Sequence, residues 1–169
     1  KVTYFKMDEN QYFPGNNKKI DAYAEYFDAP AIPMLLDSVE IGFIGHAISE
    51  ENYIRMQHVT VKIFKAENGQ PVGEYLAWGL YDLLDIEYDA GMPSGIYYGS
   101  DLPIVIDFPF FIVVTGIPME DVANYNLTIG MAPWRNYGNT AYLRKKGEDK
   151  FIPANSYFGA DKHTSYYIT

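Results

Sequence analysis

At 169 residues with a formal net charge of -9 and a pI near 4.7, the chain has the size of one domain and is acidic enough to repel polyphosphate backbones and anionic lipid surfaces. Nucleic acid and membrane are therefore not the expected partners, and no apolar run approaches the roughly 20 residues of a membrane-crossing helix. A hydrophobic content of 48% excludes a disordered tract, and 0 Cys excludes disulfides, thiol nucleophiles and thiolate metal sites while leaving the compartment open.

Residues 1–21 open with Lys1 and mix charge with Asn10, Pro14, Gly15, Asn16 and Asn17, which predicts a linker-like lead-in holding at most a short strand at 3–6. With no apolar leader, this opening reads as that of a mature or excised piece. Residues 22–169 are expected to form the domain. Strand-like runs follow at 22–27, 36–44, 58–66, 74–84, 95–98, 102–108, 110–116, 127–131, 141–144 and 165–168, separated by turn-formers such as Asn68-Gly69-Gln70-Pro71 and Gly91-Met92-Pro93-Ser94-Gly95. Val39, Ile41 and Phe43 alternate with Ser38, Glu40 and Gly42, and Val59, Val61 and Ile63 with Thr60, Lys62 and Phe64, so each run offers one apolar face. Asn68-Gly69 suits a hairpin, with a loop of about five residues. Helix has two footholds, 49–55 and 118–125, each about one turn.

About ten short strands without βα alternation predict an all-β fold, an antiparallel sandwich of two sheets. Its core is expected to hold Val39, Ile41, Phe43, Val59, Val61, Ile63, Ile104, Ile106, Ile112 and Val114.

The succession Ala24-Glu25-Tyr26-Phe27-Asp28-Ala29-Pro30, Leu36-Asp37-Ser38-Val39-Glu40-Ile41-Gly42-Phe43 and the stretch from Val59 through Lys62-Ile63-Phe64 to Asn68-Gly69-Gln70-Pro71 resembles jelly-roll accessory and adhesin-type domains of exported Bacteroidetes proteins. Ile104 to Val114 is similar to their paired strands, and Asn139-Thr140-Ala141-Tyr142-Leu143 to their penultimate one. The resemblance implies a jelly-roll topology, a secreted or cell-surface location, and a binding or docking role rather than a reaction. The acidic stretch 81–99 departs from the pattern.

His46, His58 and His163 show no zinc-type spacing. Ser94 has Met92 and Ile96 where a nucleophile elbow needs glycines, so a turn accounts better for the glycines around it. Asp85, Glu87 and Asp89 alternate beside Asp82, and several carboxylate oxygens are what calcium requires. Ala90 and Ile96 stand where an EF-hand needs Gly and Glu, so the plainer account is a solvated acidic face, with a loop-built calcium site as the alternative. The expectation is thus no cofactor, and calcium rather than zinc or iron if a cation is held.

Trp134, Arg135, Asn136 and Tyr137, between Pro133 and Gly138, combine rings that stack on sugars with directed donors and acceptors, and Tyr97 and Tyr98 add aromatic surface in a second loop. The plainer account makes Trp134 a cap on the core. The expected function is non-catalytic binding or adhesion, with a carbohydrate or a protein surface as ligand. A structural accessory domain packed against a neighbouring peptidase or glycosidase domain of the same polypeptide is the alternative. A third reading makes the acidic run the acid and base of a hydrolase.

Overall fold

A computed structural model describes residues 4–8, 11–14, 19–44, 58–82, 87–89, 92–97, 101–117, 128–130, 138–158 and 165–168. The strands β1 (Tyr4–Asp8) and β2 (Gln11–Pro14) pair as an antiparallel ribbon in the segment expected to be mostly loop. Next, β3 (Ile20–Phe27) begins at Ile20, which is fully buried, rather than at residue 22. The single run expected at 36–44 divides at Asp37-Ser38 into β4 (Met34–Leu36) and β5 (Val39–Ile44), which belong to different sheets.

The longest strands are β6 (His58–Glu67) and β7 (Gln70–Asp82). Then come β8 (Glu87–Asp89), β9 (Met92–Tyr97), β10 (Ile104–Ile106), β11 (Phe110–Thr115), β12 (Thr128–Ile129), β13 (Ala141–Lys145), β14 (Phe151–Pro153) and one short helix, α1 (Ala154–Phe158). The fold is all-β, with 14 strands among the described residues where about ten were expected. No helix among the described residues is long and apolar enough to cross a membrane. The two expected helical turns at 49–55 and 118–125 lie outside the described residues.

A six-stranded sheet runs β14-β13-β3-β11-β6-β7, a four-stranded one β12-β5-β9-β8, and β10 pairs with β4 as a separate ribbon, all antiparallel. Both larger sheets and the β4–β10 ribbon feed one core: Val39, Ile41 and Phe43 from β5, Val59, Val61 and Ile63 from β6, Ile112 and Val114 from β11, and Ile106 from β10 are all buried. Ile104 packs against the same core while partly exposed. The period-two pattern thus assigned these faces correctly, and each fully buried aliphatic side chain contributes about 1.5–3 kcal/mol.

Two local expectations are corrected. The β6–β7 connection is a minimal two-residue turn, because Glu67 pairs with Gln70 while Asn68 (φ 50°) and Gly69 (φ 70°) supply the two positive φ angles a tight hairpin needs. Pro71 is not a loop residue but lies in β7, an edge strand, where a missing N–H is tolerated. Met92, Pro93, Ser94 and Gly95 are likewise strand rather than turn, since β9 pairs with β5 on one side and β8 on the other.

The run at 165–168 is not a regular strand either. It holds isolated bridge positions at Tyr166 and Ile168, the latter opposite Ile41, and its backbone bonds both to β5 and to the residue after β12: Gly42 N–H donates to Tyr167 C=O (2.8 Å), and Tyr167 N–H donates to Gly130 C=O (2.7 Å). Glu25, buried within β3, accepts a 2.8 Å hydrogen bond from Tyr166 N–H and so anchors this segment with a carboxylate inside the core. The Tyr166 ring meets Tyr23 edge-on at 5.6 Å.

Candidate functional site

The outward face of the six-stranded sheet is aromatic almost from edge to edge. Strand alternation turns Ala77 and Tyr81 of β7 to the core, which leaves Trp78 and Leu80 on the opposite side. Register then sets Lys62 beside Trp78, Phe111 beside Phe64, and Tyr26 beside Phe111. The ring centroids are 5.3 Å apart for Tyr26 and Phe111 and 5.1 Å for Phe111 and Tyr142, tilted or edge-on as the ring quadrupole favours.

This face hides a second, smaller core of Ala22, Ala24, Ala66, Phe111, Val113 and Phe151, flanked by Tyr26, Phe64 and Tyr142. The β6–β7 hairpin supplies its cover. Its register slips between Ile63 and Lys65, so that residues 73–76 bulge opposite Phe64 and the hairpin tip bends over the sheet. The tip reaches β14, at the far end of the sheet: Gln70 Nε2 donates to Phe151 C=O (2.8 Å), and Phe151 N–H donates to Gln70 Oε1 (2.9 Å). Burial first, then the hydrogen bond to Asp28 and its charge, raises the Tyr26 hydroxyl above the ordinary tyrosine range and keeps it a protonated donor.

At the bend the aromatic face opens to solvent. Tyr75 is 45% exposed and Trp78 36%, their centroids 6.4 Å apart at an interplanar angle of 64°. Phe64 meets Tyr75 edge-on at 6.5 Å, and Lys62 Nζ lies 4.9 Å from the Tyr75 centroid, within cation–π range. Two uncovered rings with an ammonium beside them can stack on an apolar ligand face and donate to its acceptors. This pair was not singled out in the sequence, although Tyr75 and Trp78 sit three residues apart near the end of an alternating run, a spacing that strand periodicity alone sends to opposite faces. The bulge brings them together.

Of the residues expected to form a site, Trp134, Arg135, Asn136, Tyr137, Tyr98 and Asp85 lie outside the described residues. Glu87 and Asp89 occupy alternate positions of β8, opposite Ser94 and Met92. Tyr97 is not a loop residue but the last of β9, opposite Val39. Among the described residues no three His, Asp or Glu side chains group as a metal-ligand set. Compared with family models, curated proteins and solved structures, the chain matches none.

Proposed function

We propose that the chain is a non-catalytic binding module of an exported bacterial protein, a two-sheet sandwich of jelly-roll type, and that it takes a carbohydrate on an aromatic platform. The observation that supports this reading is the pair Tyr75 and Trp78, uncovered side by side where the rest of the aromatic face is closed. The C–H face of a sugar ring stacks on such side chains, while Lys62 offers a donor to its hydroxyls. Such a platform needs neither a reactive group nor a cofactor. The Trp134, Arg135, Asn136 and Tyr137 cluster remains a second candidate platform, and calcium at Asp85, Glu87 and Asp89 remains the alternative to a solvated acidic face there.

The two tryptophans of the chain fall one in each candidate platform, which makes the reading testable by fluorescence. Titration with xylohexaose, cellohexaose, laminarihexaose and mannohexaose should quench or shift the emission for at least one of them. The change should survive Trp134→Phe and vanish in Trp78→Phe, and Trp78→Ala should weaken binding at least tenfold with the circular dichroism unchanged. The reverse pattern moves the site to Trp134, and no response to any glycan rejects the carbohydrate reading.

A further inference from the structure

The β4–β10 ribbon is apolar on both faces. Leu36 and Ile106 point into the core with Ile104 beside them. Leu35 and Val105, register partners, point the other way and are 59% and 64% exposed, and Ile32, just before β4, is 76% exposed. A sheet with one wet face carries polar residues there, whereas strands apolar on both faces belong to sheets covered on both. Within the two segments that carry the ribbon the charges are of one sign. Asp28, Asp37, Asp101 and Asp107 are exposed around the ribbon, and neither 28–38 nor 101–107 contains a Lys or Arg. Lys65, the cation that approaches from β6, is held over the Phe108 ring at 4.6 Å.

From this we infer that the outer face of the β4–β10 ribbon is a docking surface for another protein, one whose contact segment has aliphatic residues at its centre and Lys or Arg at its rim. The charge pattern selects that occupant. A second copy of this chain would bring aspartates against aspartates, on a molecule already at -9, and like charges across an interface cost affinity and slow encounter. A basic rim pairs with the four aspartates while aliphatic side chains cover Leu35, Val105 and Ile32. The inference is independent of the glycan reading and uses a different region of the surface.

The chain's lack of cysteine gives a direct test with the folded protein. Leu35→Cys and Val105→Cys should each react with a thiol reagent at close to the rate of a free thiol. At least tenfold protection means that the chain itself or a second copy covers the ribbon, and overturns the proposal. A dye on residue 105 then reports the binding of a synthetic ten-residue peptide alternating Lys and Val. That peptide should bind at least tenfold more tightly than alternating Lys-Thr or Glu-Val peptides. Leu35→Ser should weaken it at least tenfold, Asp37→Asn with Asp107→Asn several-fold, and Trp78→Ala not at all. Equal binding of the Lys-Thr and Lys-Val peptides, or no effect of Leu35→Ser in a variant that keeps wild-type circular dichroism, reduces the contact to general charge attraction and overturns the proposal. So does a dimer in sedimentation that Leu35→Ser dissociates.

Discussion

The side-chain amide of Gln70 occupies the backbone of Phe151 as a neighbouring strand would, donating to its carbonyl and accepting from its N–H across 81 positions of sequence. This double bond ties the β6–β7 hairpin tip to β14 and closes the small core of Ala66, Phe111 and Val113 beneath it. Gln70→Ala leaves two half-buried backbone groups to water or to nothing, so it should cost about 1–3 kcal/mol. Gln70→Glu should cost a comparable amount, because a carboxylate oxygen would face the Phe151 carbonyl. Urea unfolding at neutral pH measures both, and a loss below about 0.5 kcal/mol in each would mean the tip is held without this contact.

Gly42 and Tyr167 make a second close approach. A β-carbon at residue 42 would stand 2.5 Å from Tyr167 Cδ1 and 3.1 Å from its Cβ, and atoms so near the backbone cannot swing away freely. Gly42→Ala should therefore destabilise by about 1–3 kcal/mol, as overpacking does. In a Tyr167→Ala background the same change should cost much less. A double-mutant cycle with no coupling would show that the ring does not constrain residue 42.

These two contacts also mark where sequence patterning stopped being informative. Faces of β5 and β6 were legible because one apolar residue in two is unambiguous. In β11 the run Phe110, Phe111, Ile112, Val113 and Val114 is apolar at every position, so placing Ile112 and Val114 in the core left the opposite side unexplained, and Phe111 and Val113 turned out buried on that far face. The bulge that folds the hairpin over them accounts for it, and the folded tip is held by the contact of Gln70 with Phe151, 81 residues away. Pro71, Pro93 and Gly95 signalled turns by composition, yet each lies in a strand whose pairing accommodates it. Glu25 was a charged residue inside an apolar run, and its role became readable only when the 165–168 segment arrived beside it.

Alkaline pH should unfold the domain earlier than ordinary tyrosines would allow. Burial, then the nearby Tyr157, raises the Tyr23 hydroxyl far above its usual range, and Tyr26 shifts in the same direction. Below about pH 10 both states keep these protons, so stability does not depend on them. As pH rises past that point the unfolded chain releases protons that the folded one retains, so the slope of stability with pH is negative. Urea midpoints at pH 8 and pH 11 should therefore diverge in the wild type, and the gap should narrow in Tyr23→Phe. An unchanged gap would assign the alkaline loss to other groups.

The aromatic face should divide into a structural part and a spare part under substitution. Phe111 is completely buried beneath the hairpin tip, between Tyr26 and Tyr142, so Phe111→Ala should cost about 3–5 kcal/mol despite its position on the outward side of the sheet. Trp78 stands at the sheet edge with more than a third of its surface in water and, among the described residues, a ring contact to Tyr75, so Trp78→Ala should cost about 1 kcal/mol or less. Tyr75→Ala should follow Trp78 rather than Phe111, with a small extra loss from the Lys62 ammonium over its ring. A tryptophan that stability does not need is free to serve as a ligand platform, which is why the comparison bears on the proposed function. Unfolding curves of the three variants decide it: a Trp78→Ala cost near that of Phe111→Ala would make the exposed pair part of the core's cover, and the platform at Tyr75 and Trp78 would lose its physical basis.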